Sequence, residues 1–304
     1  MKLIEQSYEI CKSKSVFRDI ERAARISYRS EDKIDEGSDL RMIGRLLNMK
    51  HHSPLEFGTI YIKVRDVVCC GIISEAHAEG CLGKPWVRCN KVEEIEPDGR
   101  HVTNWYITTD YRFIVENRLD GLRKYICEPT DHHTLRTTVK ITCPRIISQM
   151  FMRHRVFSFL QESQRYVNYS KDKFGNEITY IIPVQCREDI KDGTELKDSL
   201  DVTNFVWGKR DTSEMNVLKV NKFTQVMLYA FTDAETDYIG LVNNGYKPQQ
   251  ARAILPNYTA TSFYMCGFND DWEKFFELRD KEVVDPQMYD LVHKLHSEFI
   301  EKNK

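Results

Sequence analysis

Arg153-His154-Arg155-Val156-Phe157-Ser158-Phe159-Leu160-Gln161-Glu162-Ser163-Gln164-Arg165-Tyr166 sets three arginines, a histidine, two glutamines and Ser163 among aromatic and aliphatic side chains. The mixture suits an anion pocket with apolar walls. Arginine's planar fork matches phosphate oxygens with two parallel hydrogen bonds, and a serine hydroxyl with nearby backbone N–H groups completes such a cradle. Each charge-assisted bond contributes about 1.5–3 kcal/mol, so a few can hold a nucleotide. Local composition fits an amphipathic helix and turn with a solvated basic face equally well.

Just upstream, Val139, Ile141 and Cys143 alternate onto one face, so 138–143 reads as a strand. Pro144 then stands where the first turn of a helix begins, and that helix should run to about Met152. The arginine run therefore sits where the chain leaves a rigid strand and helix, a place where side chains can converge on a ligand.

Further out, 16–28 has helical spacing, and Ser38 is placed to cap a second helix through Leu40, Ile43, Leu46 and Leu47. That helix must end before the turn His51-His52-Ser53-Pro54. Residues 59–68 read as a strand, and 74–134 as an insertion holding a strand at 102–108 and a helix at 111–125. Residues 171–211 form a charged excursion with a short strand at 178–182. Residues 220–242 have strong helical spacing stopped by Asn244-Gly245, and a helix near Pro248 carries Arg252. A strand at 261–266, a short helix at 272–279 and a final helix through Met288, Leu291, Val292, Leu295 and Phe299 close the chain. The pattern implies one domain over 1–304, interrupted at about 74–134.

The 304 residues, 41% hydrophobic, can bury a sizeable core, and 44 Lys plus Arg against 46 Asp plus Glu give no global pull toward nucleic acid or membrane. Any anion binding must be local. Nine cysteines without a CxxC pair, behind a start that lacks a signal peptide's apolar run, read as reduced thiols in a cytoplasmic protein. The apolar run 67–73 is too short to span a bilayer. His77, Cys81 and Cys89 match no zinc spacing, so no metal is expected.

Arg153-His154-Arg155, seven residues, then Ser163 resembles the signature of the flavin-dependent thymidylate synthases. Ala24-Arg25-Ile26-Ser27-Tyr28, His51-His52-Ser53-Pro54-Leu55-Glu56, Ala251-Arg252-Ala253-Ile254-Leu255-Pro256-Asn257 and Phe275-Phe276-Glu277-Leu278-Arg279 agree in the same order. The resemblance covers about 1–60 and 136–304. It implies an α+β fold of helices packed on an antiparallel-type sheet, with an inserted segment, assembled as a homotetramer with shared active sites. It also implies FAD as cofactor, with NADPH and methylenetetrahydrofolate as co-substrates and dUMP as the substrate converted to dTMP.

By the same resemblance Arg153, His154 and Arg155 hold FAD with His51, Ser53 and Ser27, while Ser163, Gln164, Arg165, Arg252 and Gln161 hold dUMP. Arg279 faces the pyrimidine. Those roles make chemical sense, because attack from C5 and hydride addition at C6 develop enolate charge that a fixed guanidinium stabilises mainly in the transition state. Several positions depart from the family pattern: Gln161 for glutamate, Leu160 and Met150 for polar residues, Phe268, Asp270 and Lys274 around the flavin site, and Asp285 and Gln287 later. An aspartate cannot donate to a flavin carbonyl as an arginine does.

Two other functions fit parts of the chain. A related pyrimidine deoxynucleotide hydroxymethylase would account for Met150, Asp270, Lys274 and the insertion. A single-stranded nucleic-acid surface would use Phe157, Phe159, Tyr166 and Tyr169 to stack bases between the arginines.

Overall fold

The computed structural model describes residues 1–171, 175–208 and 219–302. Residues 172–174 and 209–211 of the charged excursion lie outside them. The chain opens with β1 (Lys2–Ile4), β2 (Ser7–Ile10), α1 (Val16–Ile26) and α2 (Ser38–Asn48). Ser15 caps α1 by accepting from the Arg18 N–H. Ser38 is not a cap. Gly37, at φ +71°, takes the cap position of α2, where a side chain would be strained, and the Ser38 hydroxyl donates to buried Glu21 at 2.9 Å, tying α2 to α1.

β3 (Thr59–Arg65) is shorter than its apolar run suggests, because α3 (Asp66–Glu75) starts at Asp66. Continuous apolar residues have no period that separates strand from helix. The segment then builds β4 (Arg88–Ile95), β5 (His101–Asp110), α4 (Tyr111–Glu116) and β6 (Ile126–Cys127). Asp110 caps α4 through the Phe113 N–H at 3.0 Å, and the helix stops at Glu116 rather than near 125; Arg118 follows at φ +55°. The acidic residues Glu93 and Glu94 lie within β4, which the charge pattern had hidden.

β7 (Arg136–Pro144), α5 (Arg145–Phe151) and β8 (Ser158–Gln161) follow, then β9 (Thr179–Ile181), β10 (Thr194–Glu195) and α6 (Ser199–Trp207). α7 (Lys222–Asn243), α8 (Pro248–Ala251), β11 (Ala260–Phe268), α9 (Asn269–Arg279) and α10 (Pro286–Lys302) complete the chain. Asn244 caps α7 and Gly245, at φ +90°, turns the chain, as its sequence predicts.

The fold is α+β, but among the described residues the strands form three sheets rather than one. Two are antiparallel, β2-β7-β11-β8 and β4-β5-β3-β6; in the third, β10-β1-β9, the β1–β9 pair is parallel. Of the strands of 74–134, β5 and β6 pair with β3 and β4 pairs with β5, so the segment completes a sheet instead of decorating one.

The sheet carrying β7 and β11 buries Phe263 and Val139 against Phe151 of α5, Trp272 and Phe275 of α9 and Leu291 of α10. A second core lies between β3, β5 and helices α1 to α4. At the junction the Arg136 side chain is buried, donates to the Glu56 carbonyl at 3.1 Å and lies over the Phe268 ring, joining the two sheets. Gly267 on β11 is a close approach: a Cβ there would run into the ring of Phe157.

Candidate active site

The arginine run folds as strand, helix, turn and strand. β11 lies between β7 and β8, pairing antiparallel with both. Arg153 to Arg155 occupy the turn after α5, held by hydrogen bonds from His154 N to the Phe151 carbonyl at 3.0 Å and from Phe157 N to the His154 carbonyl at 3.2 Å. Ser163 to Arg165 occupy the turn after β8. The seven intervening residues are spanned largely by an extended strand of four, about 14 Å long at a strand's rise. The family spacing is thus a strand length.

In the first turn the Arg279 Nε donates to His154 Nε2 at 2.9 Å. Arginine has no acceptor, so His154 accepts, which puts any proton of its neutral form on Nδ1. Burial lowers the His154 pKa, and the Arg279 and Arg153 guanidiniums lower it further. Arg279 is itself lowered by burial and by Arg153. The Phe275 ring meets the imidazole edge-on at 4.9 Å, fixing its plane. His154 therefore holds Arg279 in place.

In the second turn Ser163 N donates to the Ser27 carbonyl at 3.2 Å, and Ser27 Oγ donates to the Gln161 carbonyl at 3.3 Å. Tyr28 and Tyr166 stack at 4.5 Å, with Arg165 over Tyr166 at 5.5 Å. The Gln161 amide donates to Ser148 Oγ at 2.7 Å and Thr261 Oγ1 at 3.2 Å. Glu162 is buried, which raises its pKa, and is met by Arg29 at 2.9 Å and the Tyr169 hydroxyl at 3.3 Å.

Arg145 lies here too. Its Nη1 donates to the Glu162 carbonyl at 3.3 Å, and its pKa is lowered by burial and further by nearby Arg252. The sequence reading overlooked Arg145. One signal could have found it: a cation in a helix's first turn opposes the helix dipole, and such a residue needs another reason to be there.

Arg153, Arg155, Arg165 and Arg252 form no ion pair with a carboxylate among the described residues. Arg153, Arg155 and Arg165 are exposed and Arg252 is half-buried, and like charges gathered with no carboxylate among them suit an anionic ligand.

Beside the first turn lies a cleft of about 520 Å³, lined by Arg155 and Phe157 together with Glu56, Trp86, Arg112 and Phe113. Arg112 pairs with Glu56 at 2.5 Å and Glu116 at 2.9 Å, and Glu116 with His52 at 3.0 Å. The turn at 51–57 and the segment 74–134 thus form one wall.

The chain brings Arg153, His154 and Arg279 together, and separately gathers Ser27, Gln161, Ser163, Arg165 and Arg252 with Arg145. His51 and Ser53 are exposed and form no hydrogen bond with the arginine run. Arg88, which opens β4, binds Asp270 at 3.2 Å and Asp271 at 2.9 Å and lies over Phe268 at 4.3 Å, while Lys274 pairs with Asp271 at 3.6 Å. Phe268, Asp270 and Lys274, the departures from the family pattern, are thus gathered where segment 74–134 docks. Of the four aromatics of a nucleic-acid strip, Phe157 and Tyr169 are buried, whereas Tyr166 is half exposed and stacked on Tyr28.

Among the described residues no group of three or more His, Cys, Asp or Glu is placed to hold a metal, and no helix is long and apolar enough to cross a membrane. All nine cysteines are free.

Residues 125–302, more than half of the chain, match the family model of thymidylate synthase complementing proteins, and the chain belongs to that family. A flavin-dependent thymidylate synthase of Synechocystis sp. is 27% identical over 142 residues, covering 47% of this chain and 55% of that protein. A probable flavin-dependent thymidylate synthase of Paramecium bursaria Chlorella virus 1 is 25% identical, covering 60% and 76%, and the Aquifex aeolicus enzyme 21%, covering 86% and 87%. A UMP/dUMP methylase structure, PolB from Streptomyces cacaoi bound with 5-Br dUMP, aligns over 99% of this chain and 93% of that one at 17% identity, TM-score 0.40.

Proposed function

We propose that the chain is a flavin-dependent thymidylate synthase that methylates dUMP to dTMP, with methylenetetrahydrofolate as carbon donor and NADPH reducing its FAD, working as a cytoplasmic homotetramer. One observation carries this reading: two groups of arginines without carboxylate partners, held at either end of β8.

The residues of the first turn fit FAD, because Arg153 and Arg155 are unpaired donors suited to an anionic dinucleotide and Arg155 borders a cleft with aromatic walls. Bound there and reduced by NADPH, the flavin would supply the hydride. Ser163, Arg165 and Arg252 would hold the dUMP phosphate, with Arg145 adding positive potential behind them. Arg279, aimed by His154, would stabilise the negative charge that develops on the uracil oxygens. The exposure of His51 and Ser53 supports a site completed between subunits, since in one chain neither reaches the arginine run.

The test is the visible spectrum of the purified protein, followed by product analysis with dUMP, methylenetetrahydrofolate and NADPH. A flavin spectrum and dTMP are expected. Bound flavin with no nucleotide product would overturn the reading, and a hydroxymethylated nucleotide by mass would replace it with the related hydroxymethylase.

A further inference from the structure

Trp86 is held by its backbone and free at its ring. Its carbonyl accepts from Thr109 Oγ1 at 3.4 Å, the carbonyl of Pro85 before it accepts from Arg88 Nη1 at 2.7 Å, and Val87 after it is buried. Arg88 in turn is clamped to Asp270, Asp271 and Phe268. The indole nonetheless stays 49% exposed in the wall of the cleft that Arg155 borders.

Its N–H has no partner among the described residues, whereas the indole N–H of Trp105, on β5 of the same segment, donates to Asp66 at 2.5 Å, and that of Trp272 to the Thr137 carbonyl at 3.1 Å. An aromatic ring on an immobilised backbone, lining the same cleft as an unpaired guanidinium, is preorganised to stack on a planar ring attached to an anion. The residues that hold it come from distant parts of the chain: Arg88 lies in segment 74–134 and Asp270 on α9.

We infer that Trp86 stacks on a planar ring of the cofactor whose anionic portion Arg155 binds, so that segment 74–134 supplies a wall of the cofactor site. The inference rests on the FAD reading of the Arg153–Arg155 turn and adds a binding residue to it. Stacking is set by the ring and not by the N–H, so phenylalanine should substitute and alanine should not.

FAD is titrated into flavin-stripped full-length protein, wild type, R155A, W86A and W86F, with light scattering alongside. W86A should raise the FAD Kd roughly tenfold, the loss expected for one aromatic stack, while W86F stays near wild type. FMN and ADP titrated separately then identify the ring, since only the half that Trp86 covers loses affinity in W86A. If R155A weakens FAD and W86A does not, the inference falls and the FAD reading stands. If wild type takes up no FAD, both fall. If W86A alters the oligomeric state with FAD affinity unchanged, Trp86 belongs to a contact between copies and the inference also falls.

Discussion

The sheet β4-β5-β3-β6 and the turns at the two ends of β8 treat their cations in opposite ways. On the first, Lys63 pairs with Glu94 at 2.9 Å, Lys91 with Asp66 at 3.2 Å, Arg100 with Asp98 at 2.7 Å and Arg123, beside it, with Asp120 at 2.7 Å. At the two ends of β8, Arg153, Arg155, Arg165 and Arg252 lack such partners, and Arg145 and Arg279 are partly buried among like charges that lower their pKa values. Charge density alone therefore marks no site in this chain. What separates the self-neutralised face from the proposed ligand site is that the folded chain supplies counter-charge to the first and not to the second.

The sharpest test of that contrast is Arg279→Ala. Removing a donor aimed at developing charge should lower kcat about 100- to 1000-fold while flavin stays bound at wild-type stoichiometry. Joint loss of turnover and flavin would show instead that the arginine is part of the packing. Arg252→Ala comes next: the Kd for dUMP should rise roughly 10- to 100-fold, the worth of one charge-assisted contact, while the melting temperature holds or rises because a repelling neighbour of Arg145 is gone. A lower melting temperature with unchanged dUMP affinity would break the comparison.

A smaller effect is expected at the joint between the sheets. Burial raises the Asp110 carboxyl from 3.8 to about 6, against the opposing pull of Arg136. The fold thus favours the protonated acid, so this group's contribution to stability is fully present below about pH 4 and is lost as pH rises through about 6. Asp110→Asn keeps a capping side chain and removes the titration. The difference in melting temperature between variant and wild type should change across pH 4–6 and be flat above it; no change in that window would show that Asp110 stays ionised.

The smallest effect belongs to the self-neutralised face. Arg65→Ala, which removes a half-exposed partner of Glu96, should alter stability by no more than about 0.5 kcal/mol and leave FAD and dUMP binding untouched.

Elements with a clear period could be read directly: α1, α7 and α10 from helical spacing, β7 from alternation, and the stop at Asn244-Gly245. Misreadings occurred where periodicity carries no information. α3 is too evenly apolar to show a face, β8 is a four-residue edge strand inside a motif that reads as turn, and β4 is masked by Glu93 and Glu94, the second of which pairs with Lys63 on β3. The arginine run was recognisable because its residue types and spacing are chemistry written in order along the chain.

By itself the sequence determined the family, the α+β class, the strand-helix-turn that carries Arg153 to Arg155 and the cluster of donors around Ser163. Those follow from local periodicity, fixed backbone preferences and the side-chain chemistry of adjacent residues. Only the tertiary structure decided that His154 aims Arg279, that Arg145 joins Arg252, and that Arg88 fastens segment 74–134 to Asp270 so that Trp86 lines the same cleft as Arg155. The pairs His154–Arg279, Arg145–Arg252 and Arg88–Asp270 lie 125, 107 and 182 residues apart. No local pattern encodes such a meeting, because it is selected by the joint burial of two cores and by where each remaining charge can find a partner.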